Sequence, residues 1–418
     1  MKKALLFTLF SSFILQGFSQ WTTLNIPSAG RYDDVFFINE SVGWAAGGNS
    51  EKIYKTTNGG TTWTMQYNTG KYLRSIEFAT PMLGFCGSLE SSLFKTTDGG
   101  ITWIDIAPSI SPVPQGICGL SAPSANVIYG CGIWSEPAFV IKSTDGGTNW
   151  TNINLSQYAT ALVDIFFASE DVGFVVGKSN PASDGGIVLY TADGGITWEV
   201  KHKTFANEDY IWKLQTPDSL HYYGSLDALP STGNVRIVKS ADAGLTWTTD
   251  TIRNTYSYMQ TIGFMDAQQG WSGGLNTLFE TTDGGENWNP ITVGSAFNRF
   301  FRVNENTAFL SGDRIYKYTN GTPTSNQHLG FADEIHSLRV SPNPFHEYVE
   351  VEMRIGNKTR SKLQLYSSDG ELLQTLYDGM ADKGIKHFTV DCSGIGSQIL
   401  FLVLKTNEEL VYRKLVKE

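Results

Sequence analysis

Positive charge is in short supply in this chain of 418 residues: Lys and Arg total 31 against 41 Asp and Glu, a net charge of -10. That balance argues against nucleic acid or an anionic membrane as partner, since both want a basic surface. Cysteine is scarcer still, with Cys86, Cys118, Cys131 and Cys392 the four present and no C-x-x-C spacing. A zinc site is therefore not expected. Cys118 and Cys131 fall on successive predicted strands, where a cross-hairpin disulfide and a pair of small buried side chains are both open readings. No G-x-S-x-G elbow, H-E-x-x-H or P-loop occurs, so no familiar catalytic signature is present. Histidines number six, and only His202 and His221 fall in the repeats described below, neither with a metal-spaced partner. The reading is no metal and no cofactor.

Long apolar runs are missing too. Ala4 to Leu15 is apolar behind Lys2 and Lys3, but too short to span a bilayer; with the small residues Gly17-Phe18-Ser19 it predicts a signal peptide over 1–19 and a mature start at Gln20. No other stretch reaches ~18 apolar residues, so no transmembrane span is expected.

Glycine and aromatics are abundant, at 43 residues and 13%. Gly turns between short aromatic-rich runs point to an all-β protein. One pattern occurs six times: Lys55-TTNGGTT-Trp63, Lys95-TTDGGIT-Trp103, Lys142-STDGGTN-Trp150, Tyr190-TADGGIT-Trp198, Lys239-SADAGLT-Trp247 and Glu280-TTDGGEN-Trp288, with tryptophans 40, 47, 48, 49 and 41 residues apart. Such a period is the mark of a repeat architecture. The acidic or amide side chain (Asn58, Asp98, Asp145, Asp193, Asp242, Asp283) can accept backbone N–H bonds from the turn ahead of it. The Ser or Thr two residues earlier can tie the turn's start to its end. The second Gly needs a positive φ, whereas the first admits Ala243 and reads as less constrained. Each Trp returns the chain to a strand and buries roughly 150–250 Å2 between sheets. Between boxes lie two further strands, as in Asp33-DVFFI then Val42-GWAAGG, so each unit has four.

A seventh unit starts at Arg299-FFRV and ends in a degraded box, with Thr322 at the key glycine and no Trp. Trp21-TTLNI reads as its missing fourth strand, which would close a ring and remove the open sheet edges. On these boxes, residues 20–320 resemble the Asp-box (bacterial neuraminidase repeat) seven-bladed propellers, most of all those of the photosystem II assembly-factor type, with sortilin-type and sialidase propellers more distant. The resemblance implies a seven-bladed β-propeller closed by the N-terminal strand, with the box structural and away from any ligand site.

A polar linker, 321–334, leads to Val340-SPNPF, Val349-EVEM, Leu363-QLYSSDGELLQTL, His387-FTVD, Ile399-LFLVL and Leu410-VYRKLVKE, read as a small C-terminal antiparallel β-sandwich. With Pro342-Asn343-Pro344, the turn from Tyr366 to Gly370 and the basic ending Arg413-Lys414, residues 335–418 resemble the type A C-terminal sorting domain of the type IX secretion system. The usual Gly-(Ile/Val)-Tyr strand start is replaced by Gln398-Ile399-Leu400-Phe401. The resemblance implies that secretion machinery as a partner, and a secreted or outer-membrane-surface location reached through the periplasm.

Loops that lead into each first strand carry Arg31 and Tyr32, Tyr72 and Arg74, Tyr158, Tyr210 and Trp212, Tyr256 and Tyr258, and Phe297 and Arg299, with Asp33, Asp34, Asp164 and Asp209 alongside. An aromatic ring with a few arginines can stack sugars or clamp acidic peptide groups. The candidate ligand residues are thus Arg31, Tyr32, Tyr72, Arg74, Tyr158, Asp164, Tyr210, Trp212, Tyr256, Tyr258 and Arg299. The repeat region has seven arginines and lacks an early Arg-Ile-Pro, so sialidase chemistry is not expected. The reading is a binding protein for an extracellular protein or glycan. Two alternatives stand: a glycoside hydrolase using a carboxylate pair from Asp33, Asp34 and Asp164, and an assembly or stability factor for a cell-envelope complex.

Overall fold

The computed structural model describes residues 20–320 and 336–417, except 208, 229–233, 357, 368–371, 397 and 407–409. The signal-peptide reading, the linker, Thr322 and the Ser368–Gly370 turn lie outside the described residues. The chain divides into two compact units, Met1–Pro323 and Thr324–Glu418. Among the described residues there is no α-helix, and none long and apolar enough to cross a membrane.

The first unit holds seven four-stranded antiparallel sheets, the blades of a β-propeller. Blade 1 comprises Tyr32–Phe37, Gly43–Gly47, Lys52–Thr56 and Thr64–Asn68. The first strands of blades 2 to 6 are Leu73–Phe78, Gly119–Ser121, Ala159–Phe167, Tyr210–Gln215 and Met259–Phe264. Blade 7 takes Phe300–Arg302, Thr307–Ser311 and Ile315–Thr319, and its fourth strand is Gln20–Thr23, with Trp21 opposite Tyr318. The N-terminal strand therefore closes the ring.

One contact repeats where blades meet. A Phe near the end of a first strand stacks on an aromatic ring of the preceding blade's second strand: Phe37 on Phe309, Phe78 on Trp44, Phe167 on Tyr129 and Phe264 on Tyr223, each with centroids 3.6 Å apart. Box tryptophans meet the same Phe edge-on, as Trp103 does Phe78 at 6.0 Å. Each blade's apolar face is thus buried only by its neighbour, which is why the units fold as a ring.

The boxes behave as one turn. Gly100 N–H and Asp98 N–H both point at Thr96 Oγ1 (2.9 and 3.4 Å), Thr96 donates to Asp98 Oδ1 at 2.8 Å, and Thr102 N–H donates to Asp98 Oδ1 at 2.9 Å. The same bonds recur at Thr191, Ser240 and Thr281. The Thr102 hydroxyl, then its amide, hold the Asp98 carboxyl down at about 2. Both glycine positions are left-handed, so the first is not the unconstrained site that Ala243 suggests: Ala243 itself has φ 60, beside Gly99 at 72 and Gly100 at 92. At the second position a Cβ would also collide, 2.9 Å from Trp44 Nε1 at Gly100 and 2.5 Å from the Phe85 ring at Gly147. The lysine opening the pattern reaches the next blade's box: Lys55 Nζ donates to Gly99 O and Lys142 Nζ to Gly194 O, both at 2.8 Å. Trp103, Trp198 and Trp247 are buried, while Trp63, Trp150 and Trp288 are half-buried.

The second unit has two sheets. One is His336–Ser341, Tyr348–Ile355 and Gly384–Asp391; the other is Leu372–Ala381, Thr359–Ser367, Gln398–Lys405 and Leu410–Lys417, in spatial order. Burial alternates along Tyr348–Ile355 and Thr359–Ser367. The inward residues of both sheets, among them Val349, Val351, Leu363, Leu365, Leu402 and Leu415, form one core. All four cysteines are free and buried; Cys118 N–H donates to Cys131 O across the hairpin, and no disulfide joins them.

Candidate functional site: two ends of one channel

First strands of all but the third and seventh blades carry the same irregularity. The ladder to the second strand slips between Tyr32 and Asp34, Leu73 and Ser75, Leu162 and Asp164, Ile211 and Lys213, and Met259 and Thr261. The residue squeezed out is Asp33, Arg74, Val163, Trp212 or Gln260. A bulge re-aims a side chain, and here Asp33, Arg74 and Gln260 meet in one hydrogen-bonded cluster that Trp212 joins through its ring.

At its centre Asp33, fully buried, accepts from Arg31 Nη2 at 2.6 Å, from Arg74 Nη1, and from Asn298 Nδ2 at 3.1 Å. Arg31 also donates to Tyr72 Oη at 2.8 Å and to Gln260 Oε1 at 3.0 Å, and Gln260 Nε2 donates to Tyr258 Oη at 2.6 Å. The Arg74 guanidinium lies 5.7 Å over the Trp212 ring, which stacks at 5.2 Å on Tyr210. Tyr210 in turn donates to Trp134 O at 2.7 Å, and Trp134 is 43% exposed. Tyr256 reaches Asp227 at 3.4 Å, and burial pushes the Asp227 carboxyl up to about 6. Arg31, Tyr72, Tyr210, Trp212, Tyr256 and Tyr258 remain half-exposed at this mouth.

The remaining candidates lie elsewhere. Tyr32 is fully buried where blade 7 meets blade 1, its hydroxyl donating to Pro27 O at 2.5 Å; a large ring next to the bulge faces the blade interface. Tyr158 packs on the Leu155 and Leu162 core. Asp164 and Arg299 form a deeper layer. Arg299 donates to Asp34 Oδ1 at 3.0 Å and grips Asp164 with two bonds at 2.8 and 3.2 Å, spanning the channel from blade 7 to blades 1 and 4. Lys213, 1% exposed on its side chain, lies 3.7 Å from Asp164. Against the cost of burial, Arg299 and then Lys213 hold the Asp164 carboxyl below its usual value, while burial, then Arg299, brings Lys213 down to about 8. Asp209 is taken by Arg236 at 2.5 Å. Asp33, Asp34 and Asp164, the three carboxylates singled out for a hydrolase, are each bound to arginine.

Beyond this layer the channel widens toward the boxes into a cavity of about 320 Å3, walled by Asp34, Glu77, Ser121, Phe166, Gln215, Phe301 and Arg302 among others. This end adjoins the boxes because each box's first glycine position donates to the turn between first and second strands, as Gly99 N–H does to Met82 O at 2.9 Å. Gln260, Asn298, Lys213 and Glu77 were not singled out from sequence. Aligning the first strands on Phe37, Phe78, Phe167 and Phe264 sets Gln260 level with Asp33 and Arg74, and Glu77 level with Phe36 and Phe166, whereas the strand of Lys213 has no Phe and Asn298 precedes its strand. Among the described residues no group of three metal-ligating side chains occurs.

No protein-family model matches the chain. It is similar to a protein named photosystem II assembly lipoprotein Ycf48 from a Synechococcus strain, 26% identical over 227 residues, or 44% of this chain and 66% of that protein. The Picosynechococcus protein of that name is 24% identical over 332 residues, 72% of this chain and 88% of the relative. Among solved structures, YCF48 bound to a D1 peptide superposes with TM-score 0.56 at 19% identity, covering 72% of this chain and 94% of that one. YCF48 from Cyanidioschyzon merolae gives 0.55 at 17%, covering 72% and 98%. An ancestral GH74 enzyme gives 0.52 at 14%, covering 94% and 63%. At these identities the structural likeness carries the fold alone, a β-propeller.

Proposed function

We propose that this protein is a non-enzymatic propeller that holds a segment of a partner protein at the Arg31–Tyr72–Tyr258 mouth, as an assembly or stability factor for a cell-envelope complex. The carrying observation is the mouth itself: half-exposed aromatic rings locked in place by Arg31, Gln260 and the buried Asp33. Rigid rings with their polar tips already engaged lose little entropy on binding, which suits them to an extended peptide. The similarity to propellers named as assembly factors, one of them solved with a peptide, favours a protein over a glycan as the ligand. The six box turns support placing the propeller with the Asp-box proteins. The C-terminal unit is proposed as the sorting domain for type IX secretion, and with the signal peptide it would deliver the propeller to the outer surface.

The test is a photo-crosslinking amino acid placed at Tyr72 or Tyr258 in cells, with adducts read by mass spectrometry. One or a few envelope proteins, lost on Arg31→Ala, are expected. Equal adducts from a probe at the box residue Ile101, on the other face, would overturn the mouth as the binding surface.

A further inference from the structure

We propose that the box-side end of the channel is a second ligand site, and that it takes a carboxylate. Hydrogen-bond accounting of the cavity wall carries the case. Its acceptors are used: Asp34 Oδ1 takes Val35 N–H and Arg299 Nε, Asp34 Oδ2 takes Ile76 N–H at 3.0 Å, and Gln215 Oε1 takes Phe264 N–H at 3.0 Å. Its donors are in surplus. Arg302 Nη1 is bound to Pro217 O at 2.9 Å, but its Nε–H is buried with no partner. Ser121 Oγ accepts from Phe167 N–H at 3.0 Å, which leaves the hydroxyl proton to give. A buried donor left unpaired costs free energy that an incoming acceptor recovers.

Glu77 adds a third donor. Burial, and then the Asp34 carboxylate beside it, push its carboxyl up to about 8, with Arg299 and the Ala122 backbone pulling the other way and Asp164 adding to the rise. At neutral pH it is a neutral acid with an O–H to donate. The neighbouring charges then sum in favour of an anion: Arg299 and Lys213 are offset by Asp34 and Asp164, and Arg302 remains. Phe166 and Phe301, both half-buried, supply apolar walls. The arrangement suits a carboxylate on a short apolar stem, in a cavity that holds a small diacid or the last residues of a chain. This site lies at the opposite end of the channel from the mouth and does not depend on the peptide reading.

Calorimetric titration of the purified protein tests it, with succinate, N-acetyl-Ala-Ala acid and N-acetyl-Ala-Ala amide as probes at pH 7 and 9. The acids should bind and the amide should not; a preference for succinate or for the peptide acid would separate a free metabolite from a chain terminus. Ionisation of Glu77 puts a like charge beside the ligand, so affinity should fall about tenfold from pH 7 to pH 9. Glu77→Gln, a neutral donor at every pH, should keep the binding at pH 7 and lose the share of that fall due to Glu77, leaving only the part that Lys213 contributes as it sheds its charge near pH 8. Arg302→Gln should weaken binding about tenfold or more, with an unchanged melting temperature showing that the variant is folded. No binding of either acid, or binding indifferent to both Arg302→Gln and pH, would overturn the proposal.

Discussion

Replacing Arg299 with Met keeps much of the side chain's length and removes its charge from the centre of the ring. Arg299 makes three charge-assisted hydrogen bonds, to Asp34 and twice to Asp164, and its side chain is only 16% exposed. Asp164 would be left with Lys213 at 3.7 Å and the Leu214 N–H at 2.9 Å, and Asp34 with backbone amides. Breaking one partner of a buried ion pair costs about 3–5 kcal/mol, mostly the penalty of the charge left behind. For a propeller of about 300 residues, with an unfolding entropy of about 2 cal/mol/K per residue, that lowers the melting temperature by about 5–8 °C. The pH dependence gives a sharper test. In the wild type the Asp164 carboxyl lies below its unfolded value, so its contribution is present above about pH 4 and lost as pH falls through the folded value. Without Arg299, burial raises that carboxyl above its unfolded value, so the variant's deficit should shrink as pH falls from 8 to 5. Calorimetric melting of both proteins across that range is the assay. Arg360→Met, at the exposed Arg360–Asp378 pair of the second unit, is the control and should cost under about 0.5 kcal/mol. An Arg299→Met deficit below about 1 kcal/mol at pH 7.5, or one flat from pH 5 to 8, would refute the view that this arginine ties the blades across the channel.

Two further outcomes follow from local geometry. Gly100→Ala should cost about 1–3 kcal/mol, because φ is 92 and Trp44 stands where the Cβ must go. Ala243→Gly, at φ 60, should instead be neutral or stabilising by up to about 1 kcal/mol; denaturant melts of the pair check both signs. Tyr32→Phe removes the buried hydroxyl bond to Pro27 O and should cost about 1 kcal/mol. It should leave photo-crosslinking at Tyr72 unchanged, where loss of the adducts would put Tyr32 back in the mouth.

The box turns and the blade count were legible in the chain because their causes are local. The hydrogen bonds that define a box join residues no more than four apart, such as Thr96 to Gly100 and Asp98 to Thr102, so the residue types had to recur together. The closing strand was legible for a related reason: Trp21-TTLNI carries the fourth-strand pattern that each box Trp begins. The left-handed first glycine was misread because Ala243 tolerates a strained φ that other boxes avoid with Gly.

Seven of the eleven residues singled out by type, Arg31, Tyr72, Arg74, Tyr210, Trp212, Tyr256 and Tyr258, lie at the mouth. Tyr32 and Tyr158 share that type, yet the fold sends them into blade interfaces. Only the tertiary structure decided which side chains meet: Asn298 lies 265 residues from Asp33, and Arg31 lies 229 from Gln260. Sequence alone determined seven like units, each with an apolar face it cannot bury by itself. Ring closure, and a bulge repeated in five first strands, then brought single residues from distant blades into one channel, because a bulge turns a side chain from the sheet face toward the axis where the other blades converge.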